Sequence, residues 1–266
     1  MNMYLYELKS LRKSTIIWTC AMISLAVLYF SIYPSFVNDA EDVKKLLGGY
    51  PAQVRVALGI SLDNITSIMG FYTMVFSIIT LCGAIQAMIF GTSILSKEAR
   101  ERTADFLLVK PVSRPAIVSA KLLASVTMLL ATNVIYYIAV SILISIVKTS
   151  DYSVKQFFLI NLSLFFLQLM FLAIGLLVSV FFKKLKSVLP ISLGTVFGFY
   201  IIGVLLATGK EDGVRFISPF KYFDIPYIIK NSSYEVSYLI TGTMIVIVAI
   251  AASYIIYTKK DIHAVS

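Results

Sequence analysis

The sequence is poor in most of what soluble enzymes use. Charged residues make up only 14% of its 266 positions, against about 25% in an ordinary soluble domain. There is one histidine, His263, and there are two cysteines, Cys20 and Cys82. Both cysteines fall inside apolar runs, which reads as packing and not as a disulfide framework. One histidine without a cysteine pair cannot assemble the usual zinc site, so metal enzymology is disfavoured and no metal ligands are assigned. The chain lacks Gly-x-x-x-x-Gly-Lys-[Ser/Thr] and therefore a phosphate-cradling loop of its own. "GTS", Gly91 to Ser93, has the Gly-x-Ser form of an intramembrane serine protease. No apolar run supplies a histidine to activate Ser93, and a small packing residue is the better reading.

What is present is apolar. Hydrophobic residues reach 59%, and runs near the ~20 residues that cross a bilayer recur along the whole chain. Six are read, at Ile16–Val37, Ile68–Leu95, Ile117–Val147, Phe157–Phe182, Val188–Thr208 and Val236–Tyr257. The expected fold class is an all-α polytopic membrane protein of six transmembrane helices. The run from Ile16 is too long for a secretory signal and ends at Tyr33-Pro34 without a small-residue cleavage site, so it is read as an uncleaved first span. Upstream, Tyr4, Leu8 and Leu11 share one face with Lys9 and Lys13 turned away, which suits an interfacial helix over residues 1–15.

An even number of spans puts both termini on one side. The loops on that side hold fourteen of the 23 Lys and Arg against five acidic residues, whereas the opposite side balances nine against nine. By the positive-inside bias the terminal side is cytoplasmic. The net charge of +9 then faces the cytoplasm and reads as topology plus anionic membrane lipid, with no nucleic-acid partner.

The central parts of the spans carry no Asp, Glu, His, Lys or Arg, so an ion-coupled carrier is disfavoured. Their polar groups are mild, and Gln86, Asn133, Tyr136, Tyr137 and Gln168 are the candidates for a translocation path. Any work of transport must come from another polypeptide. "SKEARERTADFLLVKPVSRPAIVSAK", Ser96 to Lys121, offers a place for it to enter. From Glu98 to Leu108 there is no Gly or Pro, and Ala99, Thr103, Phe106 and Leu107 form an apolar stripe. Glu98 with Arg102 and Lys97 with Glu101 pair at i, i+4. Pro111 ends this helix, and Ser113 before Pro115 starts the next. A short amphipathic helix so placed can lie in a groove of a soluble partner and pass its motion to the spans.

At these residues the chain resembles the permeases of type-2 (ABC-2) ATP-binding-cassette exporters. Glu98, Thr103, Leu107, Leu108, Pro111, Val112, Ser113, Arg114 and Lys121 match that family's pattern of an acidic residue, a Thr, a Leu-rich turn, Pro-[Val/Ile]-[Ser/Thr]-Arg and a Lys opening the next span. "YELKSLRKSTIIW", Tyr6 to Trp18, is similar to the family's interfacial helix, "ISPFKYFD", Ile217 to Asp224, to its external segment, and "YTKKDI", Tyr257 to Ile262, to its basic ending. One position departs: many members have Gly where this chain has Arg102, which leaves the helix straighter and more charged.

The resemblance implies one half of an exporter, a single transmembrane domain over residues 1–266, with residues 96–115 as the coupling segment and 38–67 and 209–235 as external loops. It implies a separate cytoplasmic ATPase that binds ATP and Mg2+, and a second permease copy or paralogue to complete a dimer. Glu98, Arg102, Thr103, Phe106, Leu107, Leu108, Pro111, Ser113 and Arg114 are the expected ATPase-coupling residues, with no catalytic residue in this chain. The family also places short membrane-dipping helices in the 209–235 loop, whose Phe216, Phe220, Tyr222, Phe223 and Tyr227 suit an interface. The expected cargo is amphipathic or hydrophobic: a peptide, an antibiotic or a lipid-like molecule. The alternative is a non-transporting scaffold or sensor regulated by the same kind of ATPase. The expected location is the plasma membrane of a bacterium, with both termini inside.

Overall fold

The computed structural model describes residues 3–60, 62, 64–101, 113–148, 151–181, 187–206 and 212–259, and no strand occurs among them. Helix α1 (Met3–Asn38) is followed by two short helices, α2 (Ala40–Gly48) and α3 (Ala52–Ala57). Then come α4 (Ile68–Glu101), α5 (Arg114–Val147), α6 (Val154–Phe181) and α7 (Leu189–Leu206). Two 3-10 turns (Asp212–Ile217 and Pro219–Lys221) and α8 (Ile225–Asn231) lead to α9 (Val236–Lys259). Helices α1, α4, α5, α6 and α9 are long and apolar enough to cross a membrane. Helix α7 has 18 residues, about 27 Å of rise, a little under the ~30 Å of a bilayer core. The protein is thus an all-helical, multi-pass membrane protein with five long apolar helices and a sixth, shorter one.

Hydrocarbon offers no partner to a backbone N–H or C=O, so each apolar run closes its own hydrogen bonds as a helix. The interfacial segment and the first span are one uninterrupted helix, α1. Its first turns keep Tyr4, Leu8 and Leu11 half-buried and Lys9 and Lys13 exposed. Helix α5 starts with Ser113 at its N-cap and a proline in the first turn, although the Ser113 hydroxyl makes no capping bond.

The long helices run up and down. The beginnings of α1 and α5 and the ends of α4 and α9 gather at one end of the bundle, called here the terminal end. Arg114 Nη1 donates to the Thr258 carbonyl there at 3.3 Å. The 3-10 turns and α8 fold back over the opposite, far end, where Gln156 Nε2 donates to the Ile229 carbonyl at 2.6 Å. Tyr234 Oη donates to the Leu159 carbonyl, also at 2.6 Å.

Helices α4 and α6 form the centre. Within their most apolar windows 61% of residues are buried, against 28% for α1, 22% for α5 and 17% for α9. Lipid tails are as apolar as Leu, so helices in a bilayer associate through close packing and interhelical hydrogen bonds. Gly91 and Gly175 supply the closest packing, because the backbones of α4 and α6 meet at these two positions. Toward the far end the same pair is joined to α1 and α5 by rings. Tyr33 and Phe71 have centroids 5.0 Å apart, Tyr72 and Phe157 5.3 Å, and Tyr137 and Phe157 5.3 Å.

Candidate functional site

Three places in this bundle carry polar chemistry. At the terminal end, the flanks of residues 96–115 are fastened to each other and to two further helices. Lys97 donates to Ser10 Oγ and lies 5.9 Å from the Tyr6 ring centroid, both on α1. Lys121, two turns into α5, is 2% exposed, donates to the Ile94 carbonyl of α4 at 2.8 Å and stands 3.5 Å from the Glu7 carboxylate of α1. Arg114 and Ser119 reach α9, the latter through a 2.8 Å hydrogen bond with Tyr254 Oη. Of the expected coupling residues, Ser113 and Arg114 are therefore placed at the start of α5. Glu98 lies on the last turns of α4, but its side chain, like Arg102, Thr103, Phe106, Leu107, Leu108 and Pro111, lies outside the described residues.

Midway along the bundle, three of the five path candidates meet. Gln168 Nε2 donates to Gln86 Oε1 at 3.2 Å, and Gln86 Nε2 donates to Thr132 Oγ1 at 3.1 Å. Asn133 Nδ2 donates to Gln168 Oε1 at 2.5 Å, and Thr19 Oγ1 donates to Thr132 Oγ1 at 3.1 Å. One continuous network thus joins α1, α4, α5 and α6. Each link contributes ~0.6 kcal/mol, up to 1–2 for the best. Gln86 and Gln168 are fully buried. The other two candidates stand apart from the network. Tyr136 is buried close to Tyr72 with no hydrogen bond of ordinary geometry from its own hydroxyl, and Tyr137 stacks on Phe157. Thr19 and Thr132 are members that sequence reasoning missed, since a helical Thr normally bonds its own backbone and gives no separate signal.

The third place was not anticipated at all. A cavity of about 700 Å³ opens at the far end between α4, α6, α7, residues Gly59, Ile60 and Asn64, and the segment from Arg215 to Lys230. None of the five path candidates lines it. Its α4 wall carries Thr73, Ser77 and Thr80, whose hydroxyls donate to carbonyls of their own helix. Among the described residues three cationic side chains line it, those of Arg215, Lys221 and Lys230, with one carboxylate, that of Asp224. Arg215 is held by Glu235 through a two-pronged ion pair at 3.0 and 3.1 Å, and its guanidinium lies 4.2 Å from the Tyr238 ring centroid. Burial works against the Arg215 charge, but hydrogen bonding and attraction to Glu235 outweigh it and hold the pKa above its usual value. Burial lowers the pKa of the Lys221 ammonium, opposed by Asp224 and reinforced by Arg215.

Among the described residues no group of three or more His, Cys, Asp or Glu stands together as metal ligands would. A family model described as ABC-2 family transporter protein matches residues 1–262, a span that takes in all three places. No curated protein matches the chain.

Proposed function

The chain belongs to the ABC-2 family of transporter proteins, whose members are permease-type membrane subunits, and from that premise we propose that it is one half of an ATP-driven exporter. The terminal end faces the cytoplasm, as the excess of Lys and Arg in its loops favours. A separate ATPase, with ATP and Mg2+ bound in it, docks on the 96–115 segment. A second copy or a paralogue of this chain completes the dimer.

One observation carries the coupling role: both flanks of the segment are tied to the bundle rather than hanging from it. A push delivered between Glu101 and Ser113 reaches α4 and α5 through the chain itself. It reaches α1 through Lys97 and the Glu7–Lys121 pair, and α9 through Arg114 and Ser119. Of these ties the Glu7–Lys121 pair is the buried one, and separating its helices would leave a charge unpaired in a dry setting. The cargo is amphipathic or hydrophobic, since the polar groups of the mid-bundle are amides and hydroxyls and offer no charge to an inorganic ion.

The test is co-purification of the ATPase with the solubilised protein, wild type against Phe106→Asp. An aspartate on the apolar stripe is expected to release the ATPase and abolish transport while the permease still elutes as a folded protein. An ATPase retained by the variant at wild-type level with full transport would overturn the coupling assignment. An ATPase that binds the wild type without any cargo movement would overturn the exporter in favour of a regulated scaffold.

A further inference from the structure

The far-end cavity takes no part in the coupling route, and its chemistry is specific enough to name an occupant. At about 700 Å³ it falls in the ~300–1,000 Å³ range of small-molecule sites. Phe76, Leu167, Phe220 and Phe223 give it apolar walls. Its polar groups differ in how far they are already committed. The α4 hydroxyls are spent on their own helix, and the Arg215 charge is spent on Glu235 and Tyr238. Lys221 is half-buried and makes no ion pair or side-chain hydrogen bond among the described residues. Lys230 and Asp224 stand exposed at the rim. With Arg215 paired to Glu235, Lys221 and Lys230 outnumber Asp224 among the described residues that line the cavity, so that lining favours an anion.

We propose that this cavity binds a lipid-like amphiphile with an anionic head, its carboxylate or phosphate oxygen taken by the Lys221 ammonium and its apolar body laid along the aromatic walls. A partly desolvated ammonium gains more from an anion than an exposed one does, because the attraction acts through a poorer dielectric. The aromatic walls hold the body of the ligand without directing it. The proposal rests on the exporter reading only for the side of the membrane on which the cavity opens. Binding itself needs no ATPase.

The test uses the full chain in a non-ionic maltoside detergent, without any ATPase. A dansyl-labelled undecanoic acid is the fluorescent probe. Oleate, oleoyl lysophosphatidate and uncharged oleyl alcohol are the competitors, and wild type is compared with Lys221→Gln and Lys221→Arg. The acid probe is expected to bind wild type saturably and to be displaced by at least one anionic competitor at about tenfold lower concentration than by the alcohol. Lys221→Gln is expected to lose about tenfold for the acid and nothing for the alcohol, and Lys221→Arg to recover the acid. Displacement by oleate alone assigns a carboxylate head, and by lysophosphatidate alone a phosphate head. Equal displacement by the alcohol and the acids, or an unchanged affinity in Lys221→Gln, would overturn the proposal. Either result leaves the exporter reading to be decided separately by the Phe106→Asp co-purification.

Discussion

A Cβ on Gly175 would come within 2.7 Å of the Met88 carbonyl oxygen and 2.8 Å of the Thr92 nitrogen, both backbone atoms of α4. Neither atom belongs to a side chain that can swing away, so α4 and α6 would have to part. In water such a shift can be offset by burying apolar surface elsewhere, but lipid offers no such gain. Gly175→Ala is therefore expected to destabilise the bundle by about 1–3 kcal/mol. Gly194 is a useful control, because an added Cβ there meets nothing within 4 Å. Thermal unfolding in detergent should show a lower midpoint for Gly175→Ala and an unchanged one for Gly194→Ala. A wild-type midpoint for the first would mean that α4 and α6 do not cross at this residue.

Among elements, the Glu7–Lys121 pair decides how α1, α4 and α5 hold together at the terminal end. Both side chains are nearly inaccessible and 3.5 Å apart, and Lys121 also donates to the Ile94 carbonyl. Removing one partner leaves a buried charge, which costs roughly 3–5 kcal/mol, whereas replacing both with apolar groups costs far less. Glu7→Leu and Lys121→Met should each lower the unfolding midpoint by several degrees, and the double variant should lie above both. If the double variant is the worst of the three, the pair is not a coupled unit. The helices themselves were legible because a bilayer reduces much of the fold to counting apolar runs of sufficient length. This pair was less so: Glu7 counted only as a terminal-side charge and Lys121 as that and as the Lys opening its span in the family pattern, and nothing linked the two. The signal that would have found them is that Lys121 stands inside its own apolar run, where a charge needs a partner. The grouping of Gln86, Asn133 and Gln168 was visible as a set of polar residues in spans, but their extension through Thr132 to Thr19 of α1 was not. The far-end cavity had no signal, since Ser77 and Thr80 sit in a run read as a span and Lys221 in a loop more than a hundred positions away. Only folding brings them together.

At the scale of the whole molecule, α7 carries an open groove of small residues. Gly194 and Gly198 lie one turn apart, and a Cβ on either would meet nothing within 4 Å, so among the described residues nothing packs into their groove. Gly203 differs: it faces Ser218, whose hydroxyl donates to the Phe199 carbonyl at 2.8 Å. Continuing along the helix from the two glycines, Ile201 and Leu205 are exposed. Small residues one turn apart let two membrane helices approach until their backbones touch, and the apolar neighbours then interdigitate. The second permease subunit of the proposed exporter is the partner that suits this groove. A Cβ at Gly198 meets no described atom within 4 Å, so Gly198→Leu is expected to leave the monomer's unfolding midpoint unchanged while shifting the solubilised protein from dimer toward monomer by about tenfold in dissociation constant, a loss of ~1.4 kcal/mol. Mass photometry or light scattering across a dilution series reads that shift directly. A dimer that survives Gly198→Leu intact would move the subunit interface away from α7 and onto the lipid-facing surfaces of α1, α5 or α9.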